Sequence, residues 1–103
     1  MASSKEFRDF VLEQLRELEN ITCKPMMGEF LLYYGGKLFG GIYDDRFLIK
    51  MTKSNEKYRL PKEIPYKGAK PMYMVENLDD IAYLSELVRE TCRSFRPRKK
   101  TYF

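Results

Sequence analysis

The chain has 103 residues, of which 44% are hydrophobic, 15% aromatic and 33% charged. That is the composition of one small globular domain, and it excludes a disordered or fibrous chain. Histidine and tryptophan are both absent, so a Ser-His-Asp triad, a Cys-His pair and a His-ligated metal site cannot be built from these residues.

The formal charge of +4 is unevenly spread. Residues 50–70 carry seven basic and two acidic side chains, and residues 93–103 carry five basic and none acidic. Residues 1–20 and 71–92 are acidic, with five carboxylates each against three and one basic groups. Such a layout either serves an anionic partner, nucleic acid included, or simply solvates a loop and a tail.

In chain order, Ser3 and Glu6 have the spacing of a capping box, in which each side chain satisfies the other's backbone N–H. Phe7, Phe10, Val11, Leu15 and Leu18 then recur at helical spacing and predict one apolar face. The helix is expected to stop near Asn20, before the β-favouring Ile21 and Thr22, and Pro25 prevents its continuation. A β-meander follows: Phe30–Tyr34, a Gly35-Gly36 turn, Lys37–Tyr43, an Asp44-Asp45 turn and Arg46–Met51. Gly40-Gly41 falls inside a strand, which predicts a bulge or a close packing neighbour there. Residues 52–71 are punctuated by Pro61, Pro65, Gly68 and Pro71, a length of irregular chain that is often functional or mobile. Within it, Ser54–Tyr58 reads as one helical turn and Ile64–Tyr66 as a short edge strand. Met72–Val75 reads as a further strand. Asn77 is a good N-cap, Asp79 and Asp80 suit a first helical turn, and Ile81, Leu84, Val88, Cys92 and Phe95 form a second apolar face ending at Pro97. One domain over residues 1–96 and an unstructured basic tail over 97–103 are expected.

Cys23 and Cys92 are too few for a disulfide scaffold, no apolar leader precedes the first helix, and no apolar run approaches the roughly 20 residues of a membrane span. A cytoplasmic protein with two free thiols is the expectation, and a redox pair is the alternative.

Catalytic chemistry finds little support. Asp44-Asp45 reads as a turn rather than as paired carboxylates, the glycine pairs lack the Gly-Lys-Ser/Thr of a phosphate loop, and the methionines read as core fillers rather than soft-metal ligands. Anion binding is better supported. Lys50, Lys53, Lys57, Arg59, Lys62, Lys67 and Lys70 are interleaved with Tyr58 and Tyr66, so cations could meet phosphates while rings stack on bases. Arg93, Arg96, Arg98, Lys99 and Lys100 would add a flexible arm. No helix-turn-helix, ribonucleoprotein signature or GXXG loop accompanies them.

The segments Lys24-Pro25-Met26-Met27-Gly28, Gly36-Lys37-Leu38-Phe39-Gly40, Asp44-Asp45-Arg46-Phe47-Leu48-Ile49-Lys50 and Lys70-Pro71-Met72-Tyr73-Met74-Val75, in that order and between two helices, resemble the N-terminal domain of the TfoX/Sxy competence-regulator family. The resemblance covers about residues 5–95. Met27 stands where the family usually has an aromatic residue, and Glu29 where it often has a second glycine. The resemblance implies an α+β fold: a two-layer antiparallel β-meander sheet flanked by N- and C-terminal helices, similar to the secretion-chaperone architecture. It implies no cofactor and no catalytic residue; that no metal site is expected follows separately, since two distant cysteines and scattered carboxylates do not make a ligand cluster. Its matching positions Met26, Gly28, Gly36, Phe39, Gly40 and Asp45 are expected to be turn and packing positions.

Together these features predict a stand-alone, non-enzymatic regulatory or protein-interaction domain, acting on a protein partner or on a second copy as a homodimer. The alternative is a weak, non-sequence-specific nucleic-acid-binding accessory protein using Lys53, Lys57, Arg59, Arg93, Arg96, Arg98, Lys99 and Lys100. Neither a membrane nor a small-molecule substrate is expected.

Overall fold

A computed structural model describes residues 3–95. Arg96, Arg98, Lys99 and Lys100, with the rest of the expected tail, lie outside the described residues. Two helices, α1 (Lys5–Gln14) and α2 (Ile81–Arg93), pack on a six-stranded antiparallel sheet. The strands are β1 (Ile21–Met26), β2 (Glu29–Tyr34), β3 (Lys37–Ile42), β4 (Phe47–Ile49), β5 (Lys62–Glu63) and β6 (Met72–Met74). Their spatial order is β1-β2-β3-β4-β6-β5. The first four strands form the meander. The chain then crosses to the far edge as β5 and returns as β6 beside β4.

Helix α1 starts at Ser4, whose hydroxyl accepts from Phe7 N at 3.0 Å. The expected cap, Ser3, instead donates its hydroxyl to Glu29 at 2.6 Å. The helix ends at Gln14 rather than near Asn20. Arg16 N and Leu18 N donate to carbonyls three residues back, which tightens the chain. That tightening turns Leu15 and Leu18 into the core, and Asn20, at φ 64°, reverses the chain into β1. Phe10, expected on the buried face, is 41% exposed.

The two hairpin turns form as predicted. Gly35 and Gly36 have φ of 57° and 83°, and Asp44 and Asp45 have φ of 54° and 55°. The backbone twist of such turns matches the twist of the flanking strands. Residues 21–26, read only as β-favouring, are a full strand paired from Ile21↔Tyr34 to Met26↔Glu29. The ladder between β2 and β3 slips at Phe39, which is the extra residue between Leu38↔Tyr33 and Gly40↔Leu32.

Helix α2 begins three residues later than Asn77 suggests. Asp80 is the cap, accepting from Tyr83 N at 3.0 Å. In the intervening segment Leu78 offers its carbonyl to Gln14 Nε2 at 2.6 Å, tying the approach to α2 to the end of α1.

One sheet face carries Phe30, Leu32, Ile42, Phe47, Ile49 and Tyr73, and it packs with Val11 and Leu15 of α1 and Leu84, Leu87, Val88 and Cys92 of α2. Both helices therefore share one face. The opposite face, through Leu31, Gly41, Leu48 and Met74, is partly covered by the chain from Pro65 to Pro71. Arg46 directs that chain. Its guanidinium meets Glu63 at 3.2 Å and the carbonyls of Ile64 and Pro65 at 3.3 Å. Those contacts turn Ile64–Tyr66 away from the ladder, so the edge strand is Lys62–Glu63, two residues earlier than expected.

Candidate functional site

The basic segment is anchored where Asn55 meets α2. Asn55 is fully buried, and its side-chain amide donates to the Lys50 carbonyl at 2.9 Å and to Thr91 Oγ1 at 2.8 Å, while its carbonyl oxygen accepts from Thr52 N at 2.9 Å. A side chain with no access to water needs its partners within the protein, and here it has them. The Ser54 and Ser94 hydroxyls make a second tie. Residues 52–55 are thus held against the end of α2 rather than left as a loose loop.

This anchoring divides the seven basic residues. Lys57 comes to the C-terminal end of α2, where it shares Glu90 with Arg93, and Lys53 adjoins Ser54, which is tied to Ser94. Lys70 lines a groove on the opposite sheet face, and Lys62 lies in the edge strand. Arg59 is exposed and left-handed at φ 52°, closing the 3-10 turn Glu56–Tyr58. The basic residues of this segment are therefore spread over more than one face, with Lys70 on the opposite sheet face from the corner of Lys57 and Arg93. Glu90 weakens the corner further. It is 15% exposed and sits between Lys57, 3.5 Å from one oxygen, and Arg93, 3.1 Å from the other. Two of the predicted phosphate contacts are thereby paired already.

Sequence reasoning missed Lys37 and Arg89. With Arg93 they line a recess of about 340 Å³ between the Gly35-Gly36 turn and α2, next to Cys92. Neither Lys37 nor Arg89 enters an ion pair among the described residues. They lie 52 positions apart, and only the docking of α2 beside β3 brings them together.

A larger groove, about 740 Å³, lies between the sheet and the Pro65–Pro71 segment. Leu38, Met51 and Met72 supply apolar lining, Lys70 borders it, and the Tyr43 and Tyr66 rings stand 6.1 Å apart at 50°. Lys50 also borders the groove, but its ammonium lies over the Phe95 ring, 5.4 Å from the centroid. Burial pushes the Tyr43 phenol up, with smaller contributions from Tyr66 and Glu29.

The family-like motif residues have structural tasks. Gly28, at φ 89°, offers its carbonyl to Ser3 N at 3.0 Å. Asp45 accepts from Ser4 N at 2.8 Å and donates its own N–H to the Ser3 hydroxyl at 2.9 Å. These bonds fasten the start of α1 to two turns at once. Phe39 is fully buried at the bulge, and Gly40 lies against the β4 backbone. Met26 ends β1, and Gly36 completes the turn between β2 and β3. Met27, at the tip of the β1–β2 hairpin, is 95% exposed and left-handed at φ 50°.

Cys23 and Cys92 are both free. Burial raises each thiol, that of Cys92 to about 11. A raised thiol is the opposite of the thiolate that redox chemistry requires. Among the described residues, no group of His, Cys, Asp or Glu could hold a metal ion, and no helix is long and apolar enough to cross a membrane.

These elements define a small antiparallel-sheet domain with its two helices on one face. Residues 13–93 match the TfoX N-terminal domain family, and the chain belongs to it. It is also 29% identical over 105 positions to an uncharacterized 12.7 kDa protein of the trpE 5′ region in Spirochaeta aurantia, with 96% of this chain and 91% of that relative covered.

Proposed function

We propose that this chain is a non-enzymatic regulatory domain of the cytoplasm, resembling the N-terminal domain of competence and transcription regulators, that works by contacting another protein or a second copy of itself. The observation that carries the reading is Met27. An apolar side chain 95% exposed on a left-handed backbone costs the fold twice, in solvation and in strain. It stands at the end of β1, a six-residue edge strand with one side unpaired among the described residues. An open edge with an apolar tip suits strand-to-strand contact. The test is Met27→Asn, because asparagine accepts the left-handed turn. The variant should fold at least as stably, yet lose self-association in sedimentation velocity or lose a captured partner. A wild-type protein that stays monomeric at high concentration and captures no partner contradicts the reading.

A second reading rests on the recess between Lys37, Arg89 and Arg93. In it the domain is a weak nucleic-acid accessory, with Lys53 and the tail lysines and arginines adding contacts. Binding to generic DNA and RNA should then fall steeply with salt. Charge reversal at Lys37 and Arg89 should weaken it more than reversal at Lys57, which is already paired with Glu90. Affinity indifferent to salt and to all three changes removes this reading.

A further inference from the structure

Strand β1 leaves one side of its backbone open, and the β1–β2 ladder decides which groups face that side. Gly35 N donates to the Asn20 carbonyl at 3.0 Å, so Asn20 turns its main chain towards β2. Bonded and non-bonded pairs alternate along an antiparallel ladder. In the register from Ile21↔Tyr34 to Met26↔Glu29, Thr22, Lys24 and Met26 therefore bond to β2, while Ile21, Cys23 and Pro25 point their main chain outward. Proline has no N–H. The open edge thus offers the N–H groups of Ile21 and Cys23 and the carbonyls of Ile21, Cys23 and Pro25, none of them bonded among the described residues.

This pattern is complementary to itself. Two copies of β1 laid antiparallel with Cys23 opposite Cys23 pair Ile21 of each with Pro25 of the other. Every outward N–H then meets a carbonyl, and the missing proline donor falls at the end of the ladder. One step of register towards Pro25 sets Lys24 directly opposite Lys24, which is destabilising, and leaves Ile21 beyond the end of the other strand. One step the other way shortens the overlap. Charge favours the same arrangement. Lys24 at one end of the edge and Glu17 and Glu19 before the other are exposed, and none of the three enters an ion pair among the described residues. Antiparallel pairing brings each lysine towards the acidic end of the other copy.

We infer that the partner of β1 is a second copy of this chain, joined through an antiparallel β1–β1 ladder centred on Cys23. This rests on the reading of β1 as the contact edge and names its occupant. Met27 then comes alongside residues 18–20 of the other copy.

The test reads register and charge in the full chain. In the ladder, Thr22 of one copy faces Lys24 of the other as a non-hydrogen-bonded pair, with Cα atoms about 4.5 Å apart, a separation that a disulfide spans. Thr22→Cys and Lys24→Cys proteins, each also carrying Cys23→Ala, are mixed and mildly oxidised. Mass spectrometry should find the link from position 22 to position 24 well above the 22-to-22 and 24-to-24 links. In sedimentation velocity, Lys24→Glu should weaken the dimer about tenfold, and adding Glu17→Lys and Glu19→Lys should restore it to within about threefold, as expected for two exposed ion pairs per dimer. A dimer that lacks the 22-to-24 link, or that shows no charge rescue, overturns this inference and leaves the contact reading standing. So does a monomer that captures a different protein in a Met27-dependent way. A chain that neither self-associates nor captures a protein overturns both.

Discussion

Gly40 and Gly36 both belong to the family-like motif, but they are glycines for different reasons. Gly36 sits in open space at φ 83°, a backbone state that other residues reach at a cost. Gly40 has an ordinary strand backbone, but a Cβ there would run into the Leu48 carbonyl oxygen and come within 2.9 Å of Ile49 Cα. The partner strand is main chain and has no rotamer with which to yield. Gly40→Ala should therefore cost about 1–3 kcal/mol through overpacking, read as a lower urea midpoint. Gly36→Asn, which keeps the left-handed turn, should cost a few tenths at most. The expected close neighbour at Gly40-Gly41 is thus the β4 backbone for Gly40, and the Phe30 carbonyl and Tyr43 ring for Gly41.

At the scale of elements, the strands and turns of the meander were legible because their pattern is local. An alternating apolar run bounded by Gly35-Gly36 or Asp44-Asp45 needs no distant partner to be recognised. Three of the misplaced boundaries share the opposite property, since each of these is set by a residue far along the chain. Ser3 is drawn from capping by Glu29 and Asp45, the start of α2 is delayed where Leu78 meets Gln14, and Ile64–Tyr66 is turned aside by Arg46. The basic segment misled for the same reason. Its charges are contiguous in sequence, but Asn55 pins one part to α2 while Lys70 lines the opposite face. The recess at Lys37 and Arg89 carried no sequence signal, because single basic residues in two separate elements look like ordinary surface. Asn55→Ala tests the anchor. It leaves Thr52 N and the Lys50 carbonyl without their partners, and should cost about 1–3 kcal/mol in urea denaturation. Hydrogen exchange over residues 50–58 should accelerate with it.

For the whole molecule, alkaline pH is the informative variable. Burial raises the Cys92 thiol from about 9 to about 11, against partial relief from Lys37 and Lys50, and it raises the Tyr43, Tyr58 and Tyr83 phenols. These groups lose their protons more readily in the unfolded chain than in the fold. Their contribution is therefore complete below the unfolded values, and it declines as pH climbs from about 9 towards about 11. The urea midpoint should fall across that interval, and Cys92→Ala should flatten part of the decline. A thiol reagent at neutral pH should modify half-buried Cys23 well before Cys92.

The fastening of α1 also sets an order of events for a chain emerging during synthesis. Helix α1 is made before the sheet it packs on, yet its ties reach 26 residues ahead to Glu29 and 41 ahead to Asp45. A helix of ten residues is marginal in isolation. The helix must therefore wait until the third hairpin turn, Asp44-Asp45, has been translated before all of its ties can form, and by then the sheet is already half built.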